Sequence, residues 1–211
     1  MNKKIFRIQK LEFLTNYKFE FLSAIIFILN SLIHYSSRGY DHYKDTYGVD
    51  QASLENIADR IINGGTLVGN LSHGIGYPLL IAPFINIAAN PFNIGSFFIF
   101  TFFVATIFKN IDKSIQTTSK KFTLIFFIVI AISFSSDMLF WIVGSSNSLA
   151  ALLILLTILW SISPIVPKYL PYILGILSGL VFSSRYVDYV LLFPIYFSAI
   201  FNYTKIYKKK L

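Results

Sequence analysis

The sequence predicts an all-α polytopic membrane protein with about six transmembrane helices, an amphipathic outer-loop helix and a re-entrant or interfacial segment. Three observations carry that expectation. Of 211 residues, 55% are hydrophobic and only 13% are charged, with a mean hydropathy of +0.64; soluble domains carry about a quarter charged residues. Several apolar runs approach the roughly 20 residues that a helix needs to cross a bilayer. The eighteen Lys and Arg residues sit mainly at the ends of those runs. Helices follow because hydrocarbon cannot satisfy open backbone groups.

The first run is preceded by about eighteen polar and basic residues and followed by no small-residue cleavage site. It is expected to be a retained span and not a cleaved signal peptide. Clear hydrophobic segments cover 19–35, 94–108, 122–143, 147–163, 169–184 and 187–203. A seventh, 75–90, is sixteen residues long, contains Pro78, Pro83 and Asn86, and ends at Asn90-Pro91.

Charge decides whether 75–90 crosses. If it does not, and the N-terminus is cytoplasmic, fourteen basic residues face the cytoplasm (those at 3–18, 109–121, 168 and 205–210). Only Arg38, Lys44, Arg60 and Arg185 then face outward. If it crosses, the split becomes six inside against twelve outside. The positive-inside rule selects six crossings. Segment 75–90 is then re-entrant or interfacial.

The expected organisation is a cytoplasmic segment 1–18, one transmembrane unit 19–203 with an outer loop 36–74, and a basic cytoplasmic tail 204–211. Both termini are cytoplasmic in this reading of an integral, multi-pass protein. The net charge of +8 would suggest nucleic acid in a soluble chain; here topology accounts for it, and the expected partner is the lipid bilayer. Cysteine is absent, which excludes disulfides, thiolate metal sites and a cysteine nucleophile.

Half of the ten carboxylates, Asp41, Asp45, Asp50, Glu55 and Asp59, fall in the first outer loop. Within it, Leu54, Ile57, Ala58, Ile61 and Ile62 form a helical stripe, and Gly64-Gly65 is a natural stop. Asp50 is expected at the N-terminus of that helix, either as a cap or as a catalytic base or metal ligand. Asp41-His42-Tyr43-Lys44-Asp45 has metal-ligand residue types without a specific ligand spacing, so a divalent cation is allowed but not specified. His73, before Gly74-Ile75-Gly76-Tyr77-Pro78, is either a phosphate or sugar contact or a loop hydrogen-bonder. Asn70-Leu71-Ser72 is a glycosylation triplet on the expected outer face.

Arg185 lies between two apolar runs, at or just below the outer interface, where a cation must snorkel or pair. Its partner is either Asp188, three residues on, or the phosphate of a lipid substrate. Asp137, inside the third run, is a functional candidate or a hydrogen-bonded member of the bundle with Ser133 or Ser136.

An aspartate opening the loop helix, then Ala58-Asp59-Arg60, Gly64-Gly65 and Gly76-Tyr77-Pro78-Leu79-Leu80, resembles the GT-C superfamily of membrane glycosyltransferases. The dolichyl-phosphate-mannose protein mannosyltransferase-like group is the nearest in pattern. Leu177 to Arg185 is similar to a small-Gly segment ending in arginine in those families, and the order of elements holds over about residues 19–203. The resemblance implies transfer of a sugar from a polyprenyl-phosphate donor to an acceptor protein, glycan or lipid on the outer face. By it Asp50 is the catalytic acid/base or a metal ligand and Arg185 binds the lipid phosphate. Asp41, His73, Tyr77 and Asn147 complete the substrate-binding set.

Two departures stand beside it. The second outer loop reads Ser146-Asn147 where an acidic residue is expected, and asparagine cannot act as a base. The chain also has six expected crossings where these enzymes continue. It is therefore expected to be a split or truncated chain with a membrane partner subunit, a minimal member, or an inactive relative. The remaining alternative is a small transporter lined by Asp137 and Arg185; the concentration of charge in an outer loop argues against it.

Overall fold

The computed structural model describes residues 16–208, apart from 39, 66–73, 88–90, 135–137, 144 and 163–168. Among the described residues every regular element is helical. The helices are α1 (Lys18–Arg38), α2 (Tyr40–Asn63), α3 (Gly76–Ile81), α4 (Pro91–Ser114), α5 (Thr118–Phe134), α6 (Met138–Val143), α7 (Ser146–Ser161), α8 (Leu170–Ser184) and α9 (Leu192–Lys208). Two 3-10 segments, Ala82–Phe84 and Tyr186–Leu191, lie after α3 and before α9. One helix, α4, is long and apolar enough to cross a membrane by length and composition.

Three expectations change. The outer loop 36–74 is largely helix: α1 runs to Arg38, and α2 covers Tyr40–Asn63. Asp50 therefore does not open a helix. Ten helical residues precede it, so no free first-turn N–H groups surround it, and an N-cap role is removed. Gly48, an interior glycine costing about 1 kcal/mol relative to alanine, does not break the helix. Segment 122–143, read as one span, consists of α5 and α6 on either side of 135–137. Asp137 falls outside the described residues, as do His73 and the Asn70 triplet.

Other boundaries follow the chemistry of the chain. Gly64 ends α2 with φ 77°, a left-handed conformation that glycine adopts without strain. Pro91 starts α4, where its missing N–H removes no helical bond. Segment 75–90 contains α3 and a single 3-10 turn; six helical residues rise only about 9 Å.

Within the stretch expected to be one unit, the helices group into two compact units, residues 1–40 with 97–142 and residues 41–96 with 143–211. In the first unit Ile26, Phe27, Phe100, Val104, Phe108, Met138 and Ile142 form the core. Phe100, Val104 and Phe108 recur every four residues on α4, so one face of it is buried. The Phe27 and Phe100 ring centroids are 5.4 Å apart, and those of Phe103 and Trp141 4.7 Å. At one end of this unit Lys109 pairs with Glu20, and Asp112 bridges Lys121 at 2.9 Å and Lys18 at 3.7 Å. Helix α5 has no buried residue, and Phe134 at its end is 86% exposed.

In the second unit Leu54 and Ala58 of α2 are buried, which is the centre of the predicted stripe. Helices α7, α8 and α9 pack on one another through two clusters. The first joins Leu149 and Leu153 to Leu177, Val181 and Leu192. The second joins Leu170 and Leu174 to Ala199 and Tyr203. The first half of α7 thus meets the second half of α8, and the first half of α8 meets the second half of α9. Neighbouring helices are antiparallel.

Candidate functional site

That antiparallel order sets the start of α7 beside the end of α8. Helix α8 ends at Ser184, and Arg185 is a single extended residue (φ −160°, ψ 100°) before the 3-10 segment. Its N–H donates to the Val181 carbonyl at 2.8 Å, which fixes where the side chain leaves the helix. A cation here also complements the negative end of the α8 dipole.

The Gly74–Tyr77 turn docks on the same end. Gly74 has φ 71°. A Cβ there would overlap the Ser183 carbonyl oxygen and sit 2.7 Å from that of Ser184. A Cβ on Gly76 would overlap the Ser184 hydroxyl and lie 3.1 Å from Ser184 Cα. Only glycine lets the two backbones approach this closely. Ser183 and Ser184 turn their hydroxyls back to the Leu180 carbonyl at 2.9 and 2.7 Å, so neither projects into the turn's path as a larger side chain would. Two stretches about 110 residues apart in sequence are joined.

Arg185 is 39% exposed, and its described ion pair is Asp188 Oδ2 at 3.8 Å. That is too long for a charge-assisted hydrogen bond, which spans about 2.7–2.9 Å. The guanidinium is therefore held near a carboxylate without being saturated by it. The sequence anticipated this partner.

Asn147 lies exposed in the first turn of α7, at the same end. Ser145, the residue before the helix, is extended and makes no side-chain cap bond. Its Oγ is buried without a hydrogen-bond partner among the described residues. The first N–H groups of α7 carry the positive end of a helix dipole, which favours an anion.

Tyr77 is placed differently from the expectation of a substrate contact. It is fully buried at 0% exposure. Its hydroxyl donates to the Phe92 carbonyl at 3.3 Å and lies 3.5 Å from Ser96 Oγ, and its ring stacks on Phe92. Burial pushes its hydroxyl well above the ordinary tyrosine range. In this position Tyr77 fastens α3 to the start of α4 and presents no surface to a ligand.

Asp41 and Asp50 lie on α2 as the second and eleventh helical residues; their side chains fall outside the described ones. The described contacts gather Gly74, Gly76, Asn147 and Arg185, and do not bring Asp41 or Asp50 to them. Among the described residues no three His, Asp or Glu side chains gather to hold a metal. The close fit of Gly74 and Gly76 on Ser183-Ser184 was missed by sequence reasoning. Its only trace in the sequence is a pair of glycines and a pair of serines at helix ends. No protein family, curated protein or solved structure matches the chain.

Proposed function

We propose that this chain is a multi-pass membrane glycosyltransferase of the GT-C type, using a lipid-phosphate-linked sugar. The observation that carries the reading is the docking of the Gly74–Tyr77 turn against Ser183-Ser184, immediately before the unsaturated Arg185. It links the acid-rich first loop region to a guanidinium suited to a phosphate. The adjoining α7 N-terminus adds a second feature that favours an anion.

Six crossings are supported by the charge distribution and by the apolar residues that the helices expose. Phe134, Phe197, Phe201 and Ile176 are all mostly exposed, a burden that a protein surface in water rarely carries in such number. Helices α7 and α8, of 16 and 15 residues, are shorter than a full span, which bilayers accommodate by local thinning.

In the proposed reaction a carboxylate, with Asp50 the leading choice, takes the proton of an acceptor hydroxyl as the glycosidic bond forms. The sugar–phosphate bond breaks, and Arg185 offsets the charge that develops on the departing lipid phosphate. Asp41, His73 and Asn147 are secondary contacts. Transfer from a polyprenyl-phosphate sugar, measured in membranes carrying the chain, should fall about 100-fold or more in Asp50→Asn. Unchanged transfer would remove Asp50 from the mechanism.

A second reading is a non-catalytic membrane subunit with the same helical frame. Asn147 favours it, being an exposed amide where the resemblance calls for an acid. Under it the chain transfers no sugar alone and co-purifies with a partner whose activity depends on it.

A further inference from the structure

We propose that the groove between the first turns of α8 and the last turns of α9 holds an acyl chain of an anionic phospholipid. The lipid headgroup then meets the lysines at the end of α9. The proposal rests on the membrane part of the reading above and on none of its transfer chemistry.

The groove has a volume of about 350 Å³ and is lined chiefly by Leu170, Leu174, Gly175, Tyr196, Ala199 and Tyr203. That is within the range of ligand pockets, about 300–1,000 Å³. Its origin is local. Leu170 and Leu174 are one turn apart on α8; Tyr196, Ala199 and Tyr203 share one face of α9. These two faces pack together, but Gly175 and Ala199 carry almost no side chain, so the ridges leave a gap. A Cβ on Gly175 would meet nothing within 4 Å. The Tyr196 hydroxyl donates to the Leu174 carbonyl at 3.2 Å, which satisfies its polar tip and leaves aromatic surface toward the groove.

Charge selects the occupant. Lys205 and Lys208 belong to α9 and lie about 3 and 8 Å further along its axis than Tyr203. Lys209 and Lys210 follow in the sequence, and from Met138 to Leu211 Asp188 is the only carboxylate side chain. This end of the hairpin is cationic without a compensating acid. A second copy of the chain would bring the same lysines and a further net charge of +8, and would be repelled. An anionic lipid brings both an apolar chain and a neutralising headgroup, and each lysine near such a surface strengthens binding about fivefold.

The test uses the full chain, purified in mild detergent, delipidated, and exposed to phosphatidylglycerol or phosphatidylcholine with identical acyl chains. Native mass spectrometry then reads the bound lipid. The wild type should retain phosphatidylglycerol over phosphatidylcholine by about fivefold or more. Gly175→Leu, which fills the groove, should lose most of the bound lipid. The combined Lys205→Gln, Lys208→Gln, Lys209→Gln and Lys210→Gln variant should hold both lipids equally, and it decides the question if Gly175→Leu does not fold. Equal retention of the two lipids by wild type overturns the proposal. So does undiminished binding by Gly175→Leu, or a dimer that excludes lipid. Selective lipid binding by a chain that transfers no sugar would sink the enzymatic reading and leave this one standing.

Discussion

Gly74 sits so close to Ser184 that a methyl group on its Cα would lie 2.7 Å from the Ser184 carbonyl oxygen. With φ at 71°, the position excludes other residues twice, by backbone conformation and by space. Left-handed backbone costs about 1–2 kcal/mol for an L-residue, and overpacking about 1–3 more. Gly74→Ala should therefore destabilise the chain by about 2–4 kcal/mol. Gly179 is the contrast: helical, exposed and with nothing within 4 Å of a Cβ. Gly179→Ala should stabilise by about 0.5–1 kcal/mol. Unfolding midpoints of the two variants in one detergent should move in opposite directions; a matching shift would contradict the docking geometry.

Tyr77 separates an anchoring role from a substrate-binding one. Its hydroxyl bonds the Phe92 carbonyl within a buried pocket, so Tyr77→Phe should cost about 1 kcal/mol of stability. Tyr77→Ala should cost about 3–5 kcal/mol, because the ring fills the space between α3 and α4. Sugar transfer by Tyr77→Phe, measured well below its melting temperature, should stay within about twofold of wild type. A large loss of transfer with unchanged stability would return Tyr77 to the substrate-binding set.

In the first unit Asn30 ties α1 to α5. Its amide donates to the Ile26 carbonyl at 2.8 Å and to Ser133 Oγ at 3.2 Å. Polar pairs between helices in an apolar surrounding are worth about 0.6 kcal/mol on average and up to about 1.7. Asn30→Ala should lower stability within that range. Ser133→Ala should cost less, since the amide keeps its Ile26 partner. A double-mutant cycle measures the coupling; a value near zero would mean that packing alone joins the two helices.

The apolar helices were the most legible part of the sequence, because a long run of hydrophobic residues has few other states to adopt. The stripe of Leu54 and Ala58 and the stop at Gly64 were also readable, each having a local cause. The start of α2 was not. Asp41 to Val49 carries mixed charge and an interior glycine, a pattern shared by loops and exposed helices, so Asp50 took the cap position by default. The site was legible only in pieces. Arg185 and Asp188 are three residues apart and could be paired by spacing. The fit of Gly74 and Gly76 against Ser183-Ser184 is a contact between distant segments, and no periodicity in either announces the other. Tyr77 was misplaced for a related reason: a Gly-Tyr-Pro turn looks exposed until the start of α4 is folded over it.

Asp112 offers a pH test of the first unit. It accepts a hydrogen bond from Lys121 Nζ at 2.9 Å, and this bond, aided by the nearby charge of Lys18, holds its carboxyl below the ordinary value of 3.8. A depressed pKa in the folded state means that the folded form binds the proton less readily than the unfolded one. The stabilisation is then fully present above the unfolded pKa and is lost as pH falls through the folded one. Asp112→Asn should melt below wild type at about pH 6, and the gap should close as pH falls toward about 3. Lys121→Gln should narrow the same gap from the other side. Added salt should shrink it at every pH, since the pair is solvent-exposed and screened. A gap that stays constant with pH would mean that Asp112 acts through packing and not through its charge.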